Sequence, residues 1–353
     1  MKHLNCLLLL LVLGFASAAQ AQLVVEAGNA ESLLAAIEQA NQKNADSLSE
    51  RLFILIPDGV YDLGERTLTP INGHNIALVG QSMEGTIIMN APKIEDEGIS
   101  KTATLLNRGH NTYVQDITLK NALDYYHSGA AGRAVCWQDK GDNTIFKRVR
   151  MLSYQDTYYS NNENGHSYFE DSEIHGTIDF ICGAGDVFFN HCLLVTERRK
   201  PEGGGRDIIA APRTSKTPWG YVFNRCTIRN DASDFLYARG WQAQPRCTWL
   251  YTTLETPEHL QKSRFEPRGM RTIQSTFLEY GTMDVHGRDI TPRSNVVTFT
   301  MNDEKNTVET IMTKQEVKAY TLKKMFSQWR PDKKARTLEK QSTRMMKKCL
   351  KSL

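Results

Sequence analysis

The sequence predicts an all-β solenoid, a parallel β-helix. Three observations carry this: a gap-free internal repeat, a coil-sized spacing between its copies, and no regular set of short hairpin turns. Five eight-residue segments align: "TYVQDITL" from Thr112, "TIFKRVRM" from Thr144, "SYFEDSEI" from Ser167, "VFFNHCLL" from Val187 and "YVFNRCTI" from Tyr221. Their third positions are Val114, Phe146, Phe169, Phe189 and Phe223, and their eighth are Leu119, Met151, Ile174, Leu194 and Ile228. The sixth holds Ile117, Val149, Ser172, Cys192 and Cys226, all small or medium. These three columns can face one core. The starts lie 32, 23, 20 and 34 residues apart, close to one coil of a solenoid with loops inserted in some turns. An antiparallel sandwich would instead call for two-residue Asn-Gly-type turns between strands.

At the N-terminus, Lys2 and His3 precede the apolar run "CLLLLLVLGF", and small residues follow in "ASAAQA". The run is shorter than the ~20 residues of a bilayer span, so residues 1–21 read as a secretory signal and the mature protein as exported, periplasmic or extracellular. Residues 22–329 read as one β-helix domain with short helical and irregular terminal segments. Six cysteines follow the signal, at 136, 182, 192, 226, 247 and 349, in neither metal-site nor disulfide-framework spacing. They read as buried thiols, with no structural zinc.

The formal charge of +3 is uneven. Residues 330–353 carry nine Lys or Arg against Asp332 and Glu339, a net +7, which leaves −4 for the rest. This tail could contact an anionic surface or a polysaccharide, but reads as a solvated, frayed terminus. No nucleic-acid recognition motif is present, and the chain reads as a monomer without a membrane span.

Two acids stand out. Asp156 in "YQDTYYS" lies five residues after Met151, and Asp179 in "GTIDFICG" lies five after Ile174, so both take the same offset in consecutive coils. Adjacent coils are roughly 4.8 Å apart. Like charges that close resist joint ionisation, which makes an acid and a nucleophile out of identical side chains. Asp124 has the same offset from Leu119. Aspartic-protease chemistry also uses paired acids, but "QDTYY" and "IDFIC" lack the glycine that lets its active-site turn form.

With these blocks in view, the chain resembles the pectin methylesterase family, carbohydrate esterases on a right-handed parallel β-helix. "PDGVYDLGERTLTP" and "IALVGQSMEGTIIM" are similar to its opening coils, "YQDTYYS" and "GTIDFICG" to its two acid blocks, "YARGWQ" to its GRxW block, and "AYTLKKMFSQWRPD" to its closing segment. The resemblance implies an esterase acting on methylated homogalacturonan in pectin, without cofactor or metal. It implies Asp179 as nucleophile, Asp156 as acid and then base, Gln155 as oxyanion donor, Arg239 as the partner that orients Asp179, and Trp241 as a sugar-stacking platform. Phe180 is expected to wall the pocket, and Tyr158 and Tyr159 to be available to substrate.

Three departures from the family pattern bear on specificity. Arg133 stands where a second oxyanion glutamine is usual, Cys182 replaces a phenylalanine, and the loop from Ser160 to Ser167 is longer. Arg133 is expected to act as an oxyanion or substrate-carboxylate donor that points along the groove rather than pairing with Asp156. The competing functions are a non-catalytic pectin-binding β-helix and a β-helical lyase or galacturonan hydrolase.

Overall fold

The computed structural model describes residues 21–266, 276–301 and 304–352. The expected signal, residues 1–21, lies outside these except for Ala21. Among these described residues the architecture is a parallel β-helix made of a 17-stranded sheet, an eight-stranded sheet and one antiparallel hairpin.

The repeat alignment is the strand register. Phe146 pairs with Val114 and with Phe169, Phe169 with Phe189, and Phe189 with Phe223. At the eighth position, Met151 pairs with Leu119 and Ile174, Ile174 with Leu194, and Leu194 with Ile228. Every residue of the three columns is buried. The rings of Phe146, Phe169, Phe189, Phe223 and Trp249 stack in series with centroids 4.2, 4.8, 4.5 and 3.9 Å apart. That is the spacing of parallel strands, so the ladder converts the coil repeat directly into aromatic stacking.

Between the third and sixth columns the chain must turn a corner. The fifth residue of each segment, Asp116, Arg148, Asp171, His191 and Arg225, has φ between 50° and 54°. In the preceding coil Gly80 stands level with the Asp116 corner, where a Cβ would come within 1.9 Å of the Asp116 carbonyl oxygen. Five stacked left-handed residues bend the large sheet into two faces around one core.

Both ends of the core are closed, which protects the open sheet edges. The helix Ala30–Lys43 begins at Asn29, whose side chain accepts from the Ser32 N–H at 3.0 Å, and buries Leu33, Ala36, Ile37 and Ala40. At the other end, the hairpin of Val296–Met301 and Glu304–Glu309 buries Val297 and Phe299. All six cysteines of the described residues are buried and free, as the spacing indicated.

The C-terminal tail differs from the expectation of a frayed terminus. Pro331–Cys349 is a 19-residue helix. Its apolar residues Ala335, Leu338, Met345, Met346 and Cys349 pack with Phe53, Tyr113, Ile145 and Tyr168 from the outer surface of the large sheet. The basic residues that suggested solvation occupy the opposite face, so an amphipathic pattern had been masked by net charge.

Candidate active site

The site is built on the eight-stranded sheet. Tyr158–Ser160 pairs with Ile178–Gly183, which pairs with Arg206–Pro212, which pairs with Asp234–Arg239. Tyr158 aligns with Ile181 and Tyr159 with Cys182, so Asp156 and Asp179, two residues earlier in each coil, are neighbours in adjacent coils. Both acids are left-handed, at φ 62° and 54°. Asp tolerates that region better than most residues, and such strain gathers at functional sites. A bulge falls at the same place. Ile178 aligns with Ile208 but Ile181 with Ala210, so the Asp179 strand carries one extra residue there.

Asp156 and Asp179 face a cleft of about 150 Å³ with Arg133, Gln155, Arg239 and Trp241. Asp179 is held by Arg239, whose Nε donates to Oδ1 at 2.8 Å and to Oδ2 at 3.1 Å while Nη2 also donates to Oδ2. A two-pronged guanidinium grip fixes both the charge and the plane of a carboxylate. Asp156 has no such partner. Burial, and then the Asp179 charge, push its carboxyl well above the usual range, while Arg133, the Cys182 thiol and Arg239 pull the other way. The thiol donates to Asp156 Oδ1 at 3.7 Å. The site thus contains one carboxylate clamped by a cation and one carboxyl driven toward its neutral form.

Arg133 lines the cleft but is tied elsewhere. Its Nε lies 2.5 Å from Glu97 Oε1, its Nη2 lies 3.1 Å from Oε2, and its backbone N–H donates to Oε1 at 2.9 Å. The expected freedom to point along the groove is therefore replaced by an ion pair. Burial opposes ionisation of Glu97, but the Arg133 hydrogen bonds and charge outweigh it and hold the carboxyl low. Glu97 lies 36 residues from Arg133 in another coil, and no local sequence pattern links the two.

Two expected substrate contacts are corrected. Tyr158 and Phe180 have no exposed surface and belong to the central core. Tyr158 packs edge-on against Phe146 and Phe169 at 5.9 and 4.9 Å. The left-handed Asp156 breaks the two-residue alternation, which turns Tyr158 inward, and the bulge sends Phe180 and Ile181 inward together. Tyr159 faces outward instead, tilted against Trp241 at 6.1 Å. Arg213 lies over the Trp241 ring at 5.4 Å, a support the sequence did not signal. Asp124, despite its matching offset, does not line the cleft and accepts from His127 Nδ1 at 2.9 Å.

A second cleft of about 590 Å³ shares Gln155 and is lined by Tyr125, Tyr126, Arg199 and Lys200 among others. The two clefts adjoin at Gln155. Among the described residues, no group of three or more His, Cys, Asp or Glu is placed to hold a metal ion.

The pectinesterase family model matches residues 23–328. The chain belongs to the pectinesterase family. It is 26% identical to probable pectinesterase 50 of Arabidopsis thaliana over 312 residues, 84% of this chain and 82% of that protein. It is 30% identical to putative pectinesterase 11 of the same plant over 205 residues, 58% of this chain and only 53% of that protein. Among solved structures, a pectin methylesterase in complex with a hexasaccharide superposes with TM-score 0.68 at 22% identity, covering 89% of this chain and 99% of that one. The Erwinia chrysanthemi pectin methylesterase gives 0.65 at 22% identity, covering 84% and 93%. At these identities the superpositions establish the shared parallel β-helix.

Proposed function

We propose that Asp179 and Asp156 carry out the methyl-ester hydrolysis that pectinesterase membership assigns to this chain, on galacturonate methyl esters of pectin. The observation that supports these roles is the pairing of a guanidinium-clamped carboxylate with a buried carboxyl driven toward its neutral form, at equivalent positions of adjacent coils. Asp179 attacks the C6 carbonyl carbon, and the carbonyl oxygen takes up the electron pair. Gln155 donates to this oxyanion, with Arg133 adding positive charge beside it. Asp156 passes its proton to the methoxy oxygen, methanol leaves, and an anhydride joins Asp179 to the sugar. Water then attacks the anhydride as the Asp156 carboxylate takes a proton from it. Asp179 is freed and Asp156 is again protonated.

Residues 22–329 form the catalytic unit in this reading and 330–353 an appended segment. Trp241, steadied by Tyr159 and Arg213, offers its face to a sugar ring. The N-terminal apolar run supports export.

The test is incubation with methylated and with demethylated galacturonan, measuring methanol, new reducing ends and unsaturated ends in the same sample. Methanol alone, from the methylated polymer alone, is expected. Reducing or unsaturated ends without methanol would exclude the esterase in favour of a hydrolase or lyase. Binding without any product would favour the non-catalytic alternative.

A further inference from the structure

The C-terminal helix carries a feature that ester hydrolysis does not use. Lys333, Arg336, Lys340, Arg344, Lys347 and Lys351 follow one another at intervals of 3, 4, 4, 3 and 4 residues. At 3.6 residues per turn they form one stripe about 27 Å long, continuing into the turn after the helix. All six are exposed. None of their side chains makes an ion pair or hydrogen bond among the described residues. Lys340, Thr343, Arg344, Lys347, Lys348 and Lys351 line a surface depression of about 640 Å³ along the helix, together with Glu339, whose carboxylate is paired with Arg148.

Two observations separate this stripe from ordinary surface charge. First, the helix lies beyond the family match, which ends at residue 328, and the remainder of the chain is net negative. Second, the helix is fixed in place. Arg148 pairs with Glu339 and with Asp116, and Ser342 donates to the buried Gln115 side chain at 2.6 Å. The six cations therefore stand in a rigid row on the large sheet, a different face from the eight-stranded sheet that bears the cleft.

The geometry points to a second polysaccharide site: the stripe binds a run of demethylated galacturonate, the polyanion that this chain's proposed reaction produces. Only the identity of the ligand rests on that proposed reaction. A linear row of unpaired cations matches a linear array of carboxylates, and such pairing is strengthened by counterion release and weakened by salt. An anionic bilayer fits less well. Interfacial helices insert an apolar face into lipid, and here that face, Ala335, Leu338, Met345 and Met346, is committed to the sheet. Bound in this way, the enzyme stays on the polymer as demethylation proceeds.

The test compares the full chain with its Lys340→Gln, Arg344→Gln, Lys347→Gln, Lys351→Gln variant. Affinity is measured for long demethylated galacturonan, for fully methylated galacturonan, and for vesicles of phosphatidylcholine and phosphatidylglycerol in equal parts. Methanol release is measured in parallel on a methylated trigalacturonide. The variant is expected to bind demethylated galacturonan about tenfold or more weakly at low salt, with a shallower salt dependence. Turnover of the short ester should be unchanged, and Lys-to-Arg and Arg-to-Lys exchange at the same positions should restore affinity. Equal affinity of the two proteins for demethylated galacturonan, or a loss confined to vesicles, overturns the inference. An affinity difference in a protein that releases no methanol would support the stripe while removing the esterase reading.

Discussion

Glu97 grips Arg133 through both guanidinium nitrogens on one edge and through the backbone N–H, at 2.5, 3.1 and 2.9 Å. This half-buried carboxylate, from a different coil, offsets a cation that would otherwise draw Asp156 toward its charged form. Glu97→Gln should leave that cation uncompensated and lower the Asp156 carboxyl. The alkaline limb of methanol release then moves to lower pH, with activity at pH 8 reduced roughly threefold to tenfold. A pH–rate profile for kcat/KM checks this, and an unmoved limb would show that Glu97 does no more than pack.

Replacing the two acids should have opposite effects on stability while both abolish turnover. Asp179→Asn and Asp156→Asn are each expected to lower kcat by about 10³-fold or more, since they act as one unit. Asp179→Asn leaves the Arg239 guanidinium without its carboxylate and should cost about 2–4 kcal/mol. Asp156 holds its proton more tightly folded than unfolded. Its contribution is complete below the ordinary carboxylate value of about 4 and fades as pH rises through the raised folded value. Asp156→Asn removes that loss and should melt higher than the parent at pH 8. Melting curves of both variants at pH 5 and 8 decide the matter.

Asp207 offers the same logic away from the cleft. Both of its carboxylate oxygens are buried and meet no hydrogen-bond donor among the described residues. Burial, opposed by Arg199, lifts its carboxyl to about 8. The folded state therefore binds the extra proton, and stability falls with pH between roughly 4 and 8. Asp207→Asn should flatten this slope and raise Tm at pH 8 by roughly 2 °C or more. A Tm–pH slope identical to the parent's would refute it.

The C-terminal helix should be structural as well as basic. Met346→Ala removes a side chain wedged between helix and sheet and is expected to cost about 1–3 kcal/mol, less than a central core deletion because the contact lies near the surface. Removing residues 330–353 bares Phe53, Tyr113, Ile145 and Tyr168 together and should bring dye binding and aggregation on heating. Light scattering during thermal unfolding measures it.

The repeat was legible because it is a local property that each coil restates. Phe146, Phe169, Phe189 and Phe223 could be aligned by counting, since parallel strands in register put equal offsets on one column. Asp156 and Asp179 were legible for the same reason. So was the burial of Cys192 and Cys226, which occupy an inward column.

Directions of side chains after an irregular residue depended on the folded chain. Period-two reasoning cannot see that Asp156 is left-handed or that the Asp179 strand bulges, so Tyr158 and Phe180 were placed in the cleft when they fill the core. Glu97 meeting Arg133, Arg213 covering Trp241 and Glu339 reaching Arg148 join residues that are distant in sequence. Solenoid stacking brings them together through inserted loops whose lengths follow no period. The tail shows the same division: its composition declared the charge, but only the outer sheet surface it covers made it a helix with one apolar and one basic face.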